Sequence, residues 1–222
     1  MASGTCAGQA RRHAPARHVT GGDNHLRRVF LGITGASGAP YAARVLDGLV
    51  AAGAEVGLCA SAAGGTVIAW ELYRDRELPG PDAVARLVAE RGGGRTTAYA
   101  EDDWFSPYAS GSAKCDAYVI CPCSMATCGT IAASTSANLI HRAAAVALKE
   151  DRRLVLVPRE TPLSVIHLRA LLTLREAGAL VAPAMPGFYA HPDTLQDAID
   201  FVAGKVLDLV GVDSGLVRRW GQ

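Results

Sequence analysis

The sequence lacks a strong net charge, a long apolar run and many aromatic residues. It has 22 basic and 21 acidic residues among 222, which gives a formal net charge of +1. That balance argues against nucleic-acid binding by phosphate neutralisation. No segment approaches the roughly 18 uninterrupted apolar residues of a membrane span. With 50% apolar and 19% charged residues, the composition also excludes a disordered chain and favours one folded domain without membrane or nucleic-acid partners.

The cysteines do not have the spacing of a metal site. None of the six forms a C-x-x-C pair, and no histidine cluster accompanies them: Cys6, Cys59, Cys115, Cys121, Cys123 and Cys128. The sequence therefore predicts no zinc or other metal site. The amino terminus has no secretory apolar segment, so we expect reduced thiols and a cytoplasmic protein.

The first 26 residues differ from the rest of the chain. They are basic, contain Gly, Pro and His, and show no apolar periodicity. We interpret residues 1–26 as a disordered tail, with a transit peptide as the alternative. Residues 27–222 are expected to form a single domain.

Beyond the tail, short apolar runs alternate with helical stretches. Strands are predicted at 29–34, 54–60, 117–121, 153–158 and 179–182, with helices between them and a last helix at about 192–210. Residues 74–100 are not assigned. Continuously apolar strands between amphipathic helices indicate a three-layer α/β sandwich with a mainly parallel sheet. In such folds ligands bind beyond the carboxyl ends of the strands.

Small and hydroxyl residues follow three of these strands. After the first strand comes Gly35-Ala36-Ser37-Gly38, where the backbone can approach a ligand and the next helix offers amides to an anion. A plain tight turn is the alternative. Ser61 follows the second strand with the same ambiguity. The segment Ser124 to Thr127, which includes Met125 and Ala126, suits either an ordinary helix cap or a flavin ring and its ribityl chain.

Charged residues follow the fourth predicted strand. Arg159 and Glu160 stand between prolines at its end, where Arg can clamp a phosphate and Glu can move a proton. A surface ion pair is the alternative. Arg142 and Lys149 lie seven residues apart on one predicted helix, hence on one face. They are interpreted either as a solvated stripe or as further positive charge for the site.

Taken in order, the segments resemble the flavin prenyltransferase family (UbiX-like proteins). The matching stretches lie between residues 28 and 211: ITGASGAPYAARVL, SPYASGS, CPCSMATCGTIA, NLIHRAAAVALKE, RRLVLVPRETPLSVIHL, PGFYAHP and GKVLDLVG. VPRETPL with a downstream FY is specific to the family, whereas GASG alone is not.

The resemblance implies a fold, an assembly and a reaction. The fold is a flavodoxin-like or Rossmann-like sheet, and the assembly is a homododecamer that binds FMN between subunits. The reaction joins the dimethylallyl group of dimethylallyl monophosphate to nitrogen-5 of reduced FMN and then closes a ring at carbon-6. The product, prenylated FMN, serves a UbiD-like decarboxylase, and no metal is used. Monophosphate and diphosphate both remain open as the prenyl donor.

The resemblance also assigns site residues. FMN contacts are expected from Gly35, Ala36, Ser37, Ser61, Ser124, Met125, Ala126, Thr127 and Arg159. Tyr189 and Lys205 match residues that hold the prenyl phosphate, and Arg142, Lys149 and Glu160 match charged residues of the same site. Trp104 and Trp220 match aromatic residues near the prenyl chain. Catalysis is expected from Glu160, Lys149, Tyr189 and Arg142.

The chain departs from the family at Ala145, where Asp is common, at Cys128, where Leu is common, and in its amino-terminal extension. The two substitutions are interpreted as packing changes.

Two other functions stay open. One is an FMN-dependent cysteine decarboxylase, which the stretch from Ser136 to Leu139 favours, although the catalytic histidine and P-x-M-N segment of that class are missing. The other is a non-catalytic flavin-binding subunit of a decarboxylase complex.

Overall fold

A computed structural model describes residues 28–217 of the chain. Its strands are β1 (Arg28–Ile33), β2 (Glu55–Ala60), β3 (Thr96–Tyr99), β4 (Ala117–Cys123), β5 (Arg153–Pro158) and β6 (Leu180–Val181). Its helices are α1 (Ala39–Ala51), α2 (Ala62–Tyr73), α3 (Gly80–Arg91), α4 (Met125–Ala132), α5 (Leu139–Lys149), α6 (Val165–Glu176) and α7 (Leu195–Val210). Short 3-10 turns lie at Pro107–Ala109 and Phe188–Ala190. The predicted tail and Trp220 lie outside the described residues.

The strands form one parallel sheet. Their order is β3-β2-β1-β4-β5-β6, and every neighbouring pair is parallel. The chain runs outward from β1 to β3, returns to the centre with β4 and then runs outward to β6. This doubly wound order confirms the predicted flavodoxin-like or Rossmann-like α/β sandwich. The reversal between β1 and β4 sends their following loops in opposite directions, which opens a crevice at the carboxyl edge of the sheet.

The central strands bury both faces, each against a different layer of helices. In β1, Val29, Leu31 and Ile33 belong to one core cluster, and Phe30 belongs to the other. The first cluster includes residues of α1, α2, α3 and α7, and the second includes residues of α4, α5 and α6. Because successive side chains point to opposite faces, a strand covered on both sides has to be apolar throughout.

The segment that the sequence left unassigned contains α3 and the edge strand β3. In α3, Ala83 and Leu87 are the buried residues. In β3, no residue is fully buried. Elements at the edge of a sheet cover little apolar surface, so their sequence carries little of the apolar pattern that reveals central strands.

Helix α7 packs along α1 and is fixed there by a two-point ion pair. Arg44 on α1 donates from Nε to Asp200 Oδ1 at 2.8 Å and from Nη2 to Asp200 Oδ2 at 3.0 Å. Two parallel hydrogen bonds between a guanidinium and a carboxylate fix both the distance between the two helices and their relative orientation. The pair thereby positions the exposed face of α7, which carries Lys205.

Candidate active site

The loops after β1 and β4 are joined by the buried side chain of Thr34. Its hydroxyl donates to Pro122 O at 2.9 Å and accepts from Ser124 N at 2.7 Å. The Thr34 amide also donates to Pro122 O, at 3.1 Å. One side chain therefore holds the two walls of the crevice at a constant separation. Sequence reasoning assigned Thr34 to a strand and gave it no role in the site.

Ser124 begins α4 and caps it. Its hydroxyl accepts from Thr127 N at 3.2 Å and donates to Thr127 Oγ1 at 3.0 Å. The next residues alternate in exposure, because Met125 and Thr127 are buried and Ala126 is exposed. The first amides of a helix have no partner within it, so this turn presents N–H groups to the crevice. The predicted capping role of Ser124 is present in the structure, and a ligand-binding role is compatible with it.

The turn after β1 packs directly on the start of α2. Ser61 caps α2 by accepting from Gly64 N at 3.1 Å. A Cβ added at Gly35 would lie 2.6 Å from the Cβ of Ala63. No side chain other than hydrogen therefore fits at position 35, and the residues of this turn and Ser61 stand beside one another. The sequence placed both at strand ends, and the structure brings them together.

Glu71 is a residue of this region that sequence reasoning missed. It lies on α2, and its Oε2 accepts from the amides of Gly38 and Ala39, both at 2.8 Å. A carboxylate is favourable at a helix amino terminus because the unpaired amides carry partial positive charge. The amino terminus of α1 is thus capped by a side chain from another helix. The single acidic residue in the apolar stretch IAWELY was the only sequence signal.

Arg159 reaches across the crevice from the end of β5. Its Nε donates to Ser37 O at 3.1 Å. Within residues 28–217, its Nη1 and Nη2 have no hydrogen-bond partner, so both groups are available as donors to a ligand. Burial raises the pKa of the nearby Tyr41 hydroxyl, and the positive charge of Arg159 partly opposes that rise. Glu160, beside it, is exposed, and its carboxylate accepts from Thr161 N at 3.1 Å.

Tyr189 and Lys205 are connected through Phe201 of α7. The Tyr189 ring makes an edge-to-face contact with Phe201, with ring centroids 5.6 Å apart. Phe201 and Lys205 are one turn apart on α7 and line the same surface pocket of about 330 Å³. The chain reaches Tyr189 from Ala184, whose amide donates to Pro158 O at 3.0 Å, next to Arg159.

Arg142 and Lys149 occupy the opposite layer. Arg142 donates from Nε to Ala109 O at 2.9 Å. The ammonium of Lys149 is 2.8 Å from Glu150 Oε1 and lies beside Gly111. Both cations therefore face the 3-10 turn and the loop after it, as expected for one helix face.

Within one chain, Lys149 does not reach Arg159. Helix α5 runs against the direction of the strands and ends at Lys149, four residues before β5 begins. A six-residue strand such as β5 is about 20 Å long, which separates the amino-terminal edge of the sheet from its carboxyl edge. Lys149 stands at the first edge and Arg159 at the second.

The remaining predicted aromatic residue, Trp104, lies in the loop after β3 and is 48% exposed. That loop is also at the carboxyl edge of the sheet.

A larger surface cavity, of about 600 Å³, lies at the amino-terminal edge of the sheet and is lined by residues such as Arg28, Glu55 and Arg95. It contains none of the predicted site residues. We assign the site to the carboxyl edge, because ligands of doubly wound sheets bind at the strand-order reversal. The described residues hold no cluster of three or more possible metal ligands and no helix long and apolar enough to cross a membrane.

The fold and the site define a class of protein. A doubly wound sheet whose reversal point is surrounded by helix amino termini and an arginine is typical of α/β proteins that hold the phosphate of a nucleotide or flavin. A family model described as Flavoprotein matches residues 18–207.

Comparison with known proteins then gives the particular family. The flavin prenyltransferase UbiX of Pseudomonas aeruginosa is 45% identical over 199 residues, which are 88% of this chain and 94% of the relative. A solved structure of AnUbiX (PadA1) in complex with FMN and dimethylallyl pyrophosphate has a TM-score of 0.78 and 37% identity, covering 88% of this chain and 98% of that one. A dodecameric FMN-dependent UbiX-like decarboxylase from Escherichia coli O157:H7 has a TM-score of 0.77 and 37% identity, covering 88% and 100%. The chain belongs to the flavin prenyltransferase UbiX family, as its motifs predicted.

Proposed function

We propose that the chain is a flavin prenyltransferase that needs no metal. It joins the dimethylallyl group of dimethylallyl monophosphate to nitrogen-5 and then carbon-6 of reduced FMN, and its product serves a UbiD-like decarboxylase. Family membership supports this proposal, as does the likeness to a structure with FMN and dimethylallyl pyrophosphate. The observation in this chain that carries it is the Arg159–Ser37 contact, which joins two predicted flavin-binding segments across the crevice.

The carboxyl edge fits FMN. The turn from Gly35 to Ser37 is kept small by the packing of Gly35 on Ala63, and the amino terminus of α4 adds outward-pointing amides. Arg159 supplies two donor groups for a phosphate or a flavin carbonyl. When bound, reduced FMN supplies the nucleophilic ring, and these residues hold and orient it. The carboxylate of Glu71 already occupies the amino terminus of α1, where it would repel an anion. We therefore assign anion binding to the amino termini of α2 and α4 and to Arg159.

The prenyl phosphate is assigned to a separate group of residues. A dimethylallyl cation is stabilised by resonance, so the barrier lies mainly in the departure of phosphate. Lys205 and the Tyr189 hydroxyl stand on one surface and can contact the leaving oxygens, whose charge grows in the transition state. Trp104 offers a ring face to the cation without acting as a nucleophile. Glu160 is exposed at the edge, and we assign to it the proton exchanged on ring closure.

We further propose that Arg142 and Lys149 act in the site of another copy of the chain. Lys149 is separated from Arg159 by about the length of the sheet, so one chain alone does not gather all the predicted cations. Exposed apolar side chains on α6, among them Val165, Ile166 and Leu172, favour self-association. The dodecameric relative supports an assembly of many copies.

The test combines two single variants, Lys149→Ala and Lys205→Ala. Each homogeneous variant should lose donor use by roughly ten- to a hundredfold, the cost of one charge-assisted contact, with FMN affinity nearly unchanged. When the two variants are co-expressed and assemble at random, sites that take Lys149 from one chain and Lys205 from another recover both cations. About a quarter of the sites should then regain activity.

Two results would count against these assignments. Absence of recovery in mixed assemblies would mean that both lysines serve a site from the same chain. Normal donor kinetics in Lys205→Ala, or weaker FMN binding in place of weaker donor binding, would mean that the phosphate site is misplaced. Products are identified by mass spectrometry of the flavin extracted after anaerobic turnover.

A further inference from the structure

Two free cysteines meet directly beneath the amino terminus of α4. Cys123 ends β4 and Cys128 lies in the first turn of α4, and their sulfur atoms are 3.4 Å apart. Both residues are fully buried, with a relative solvent exposure of 0%. Between them lie the four residues from Ser124 to Thr127, one of the segments assigned to FMN. The expected Leu at position 128 would remove this pair, so the arrangement depends on a departure of this chain from the family pattern.

We propose that Cys123 and Cys128 form a reversible disulfide under peroxide, and that the disulfide weakens FMN binding by displacing the first turn of α4. The effect on FMN rests on the proposed function, whereas formation of the disulfide can be measured without it. The site is thereby a redox-controlled modification site next to the cofactor segment.

The geometry favours this pair over the other described cysteines. A disulfide has sulfur atoms about 2.05 Å apart, so the pair has to close by about 1.4 Å. Within residues 28–217, Cys59, Cys115 and Cys121 have no sulfur neighbour at hydrogen-bonding distance, and burial raises their pKa values, to about 12 for Cys59, to about 11 for Cys115 and strongly for Cys121. The S–H of Cys123 lowers the pKa of Cys128 by hydrogen bonding to its sulfur, and the helix amino terminus favours the same thiolate. Cys128 is therefore the attacking residue.

The chemistry balances with hydrogen peroxide as the oxidant. The Cys128 thiolate attacks one peroxide oxygen, the O–O bond breaks, and a sulfenic acid and hydroxide form. The Cys123 sulfur then attacks the sulfenic sulfur, the S–O bond breaks, and the Cys123 proton leaves with the oxygen as water. Two thiols and one peroxide thus give one disulfide and two waters. The burial of both sulfurs favours a small oxidant over a bulky disulfide such as oxidised glutathione.

Closing the pair has a local structural consequence. Thr127 precedes Cys128, and its amide donates to the hydroxyl of Ser124 at 3.2 Å. Drawing Cys128 toward the end of β4 moves this turn and disturbs the cap. FMN affinity should fall by roughly five- to tenfold, the factor for losing one helix cap or one hydrogen bond.

The experiment uses the full chain with Cys6→Ser, because Cys6 lies outside the described residues and could form other bridges. Peroxide-treated protein is alkylated, digested and mapped by mass spectrometry, and FMN affinity is measured by fluorescence quenching. We expect a peptide bridged between Cys123 and Cys128 with a mass about 2 Da lower, the two hydrogens lost on forming a disulfide. FMN affinity should fall and then recover with dithiothreitol. Oxidised glutathione should produce no bridge.

Matched variants separate the pair from general oxidation. Cys128→Leu should give no bridge and an FMN affinity that peroxide does not change, and Cys128→Ala repeats the test if the larger side chain disturbs folding. Cys115→Ala removes a buried thiol elsewhere and should respond like the parent.

Absence of the bridge at peroxide levels that oxidise exposed thiols would overturn the proposal, whatever the FMN affinity. A bridge with unchanged FMN affinity would overturn the switch. Failure of the untreated protein to bind FMN would instead overturn the proposed function and, with it, the effect on binding.

Discussion

Replacing Thr34 by Val tests the link between the two walls of the crevice. Valine has nearly the same shape as threonine, so the substitution removes one hydroxyl and leaves the packing in place. The hydroxyl is buried, donates to Pro122 O and accepts from Ser124 N. The expected result is a loss of stability together with weaker FMN binding, because Ser124 begins the helix assigned to the cofactor.

The magnitude follows from which groups lose their partners. Pro122 O keeps the bond from the Thr34 amide at 3.1 Å, so it is not left unpaired. Ser124 N, which is only partly buried, loses its acceptor at a cost of about 1–2 kcal/mol, the lower part of the range for an unsatisfied amide, and the lost Pro122 bond adds about 1 kcal/mol. We expect the free energy of unfolding to fall by about 2–3 kcal/mol. For a domain of this size that lowers Tm by roughly 5–10 °C.

The assay is urea unfolding at one constant protein concentration, because assembly would otherwise change the apparent stability. Thr66→Val is the matched control, since the Thr66 hydroxyl donates only to Ala62 O, at 3.2 Å, on an exposed helix surface. Thr34→Ser keeps the hydroxyl and should recover most of the loss. If Thr34→Val unfolds within about 0.5 kcal/mol of the parent, the size of an ordinary surface substitution, the link contributes nothing and the reasoning is wrong.

Two further predictions concern the packing around the site. Burial lowers the pKa of His141 from its ordinary value of 6.5, so below that pH the unfolded chain binds a proton that the folded chain does not. Stability should therefore fall as the pH decreases from 6.5 through the folded-state pKa, and His141→Asn should reduce that slope in denaturant titrations at about pH 7.5 and 5.5. Gly57→Ala should lower the free energy of unfolding by about 1–3 kcal/mol, because the added methyl would overlap the ring of Tyr108. Adding Tyr108→Leu should restore part of that loss, and a fully stable Gly57→Ala protein would contradict the packing.

The centre of the fold could be predicted from the sequence because its elements are apolar on every buried face. The strand Arg153–Pro158 occupies its predicted position, and Arg142 and Lys149 share the helix Leu139–Lys149, as predicted. The segment from 74 to 100 could not be assigned, because α3 and β3 bury few residues and resemble exposed loops in composition.

In the site, the local contacts could be predicted from the sequence and the long-range contacts could not. Ser124 could be predicted as a cap because a cap bonds to an amide three residues later, and the structure shows that Ser61 is a cap of the same kind. Glu71 could not, because its contact with Gly38 spans 33 residues and no local pattern reports it. The position of Lys149 relative to Arg159 depends on the direction of a whole helix, which the motifs do not contain.

Four contacts that hold the loops of the crevice share one property: in each of them a side chain bonds to the main chain. Thr34 bonds to Pro122 O, Glu71 to the Gly38 amide, Arg159 to Ser37 O, and the Glu101 carboxylate accepts from Ala62 N at 3.2 Å. A main-chain carbonyl is present whatever amino acid stands at that position, and a main-chain N–H is present at every residue except proline. Correlated substitutions between two alignment columns, which reveal contacts between side chains, should therefore not reveal these contacts. Each should instead constrain a single column, so covariation methods would underestimate how firmly these loops are connected.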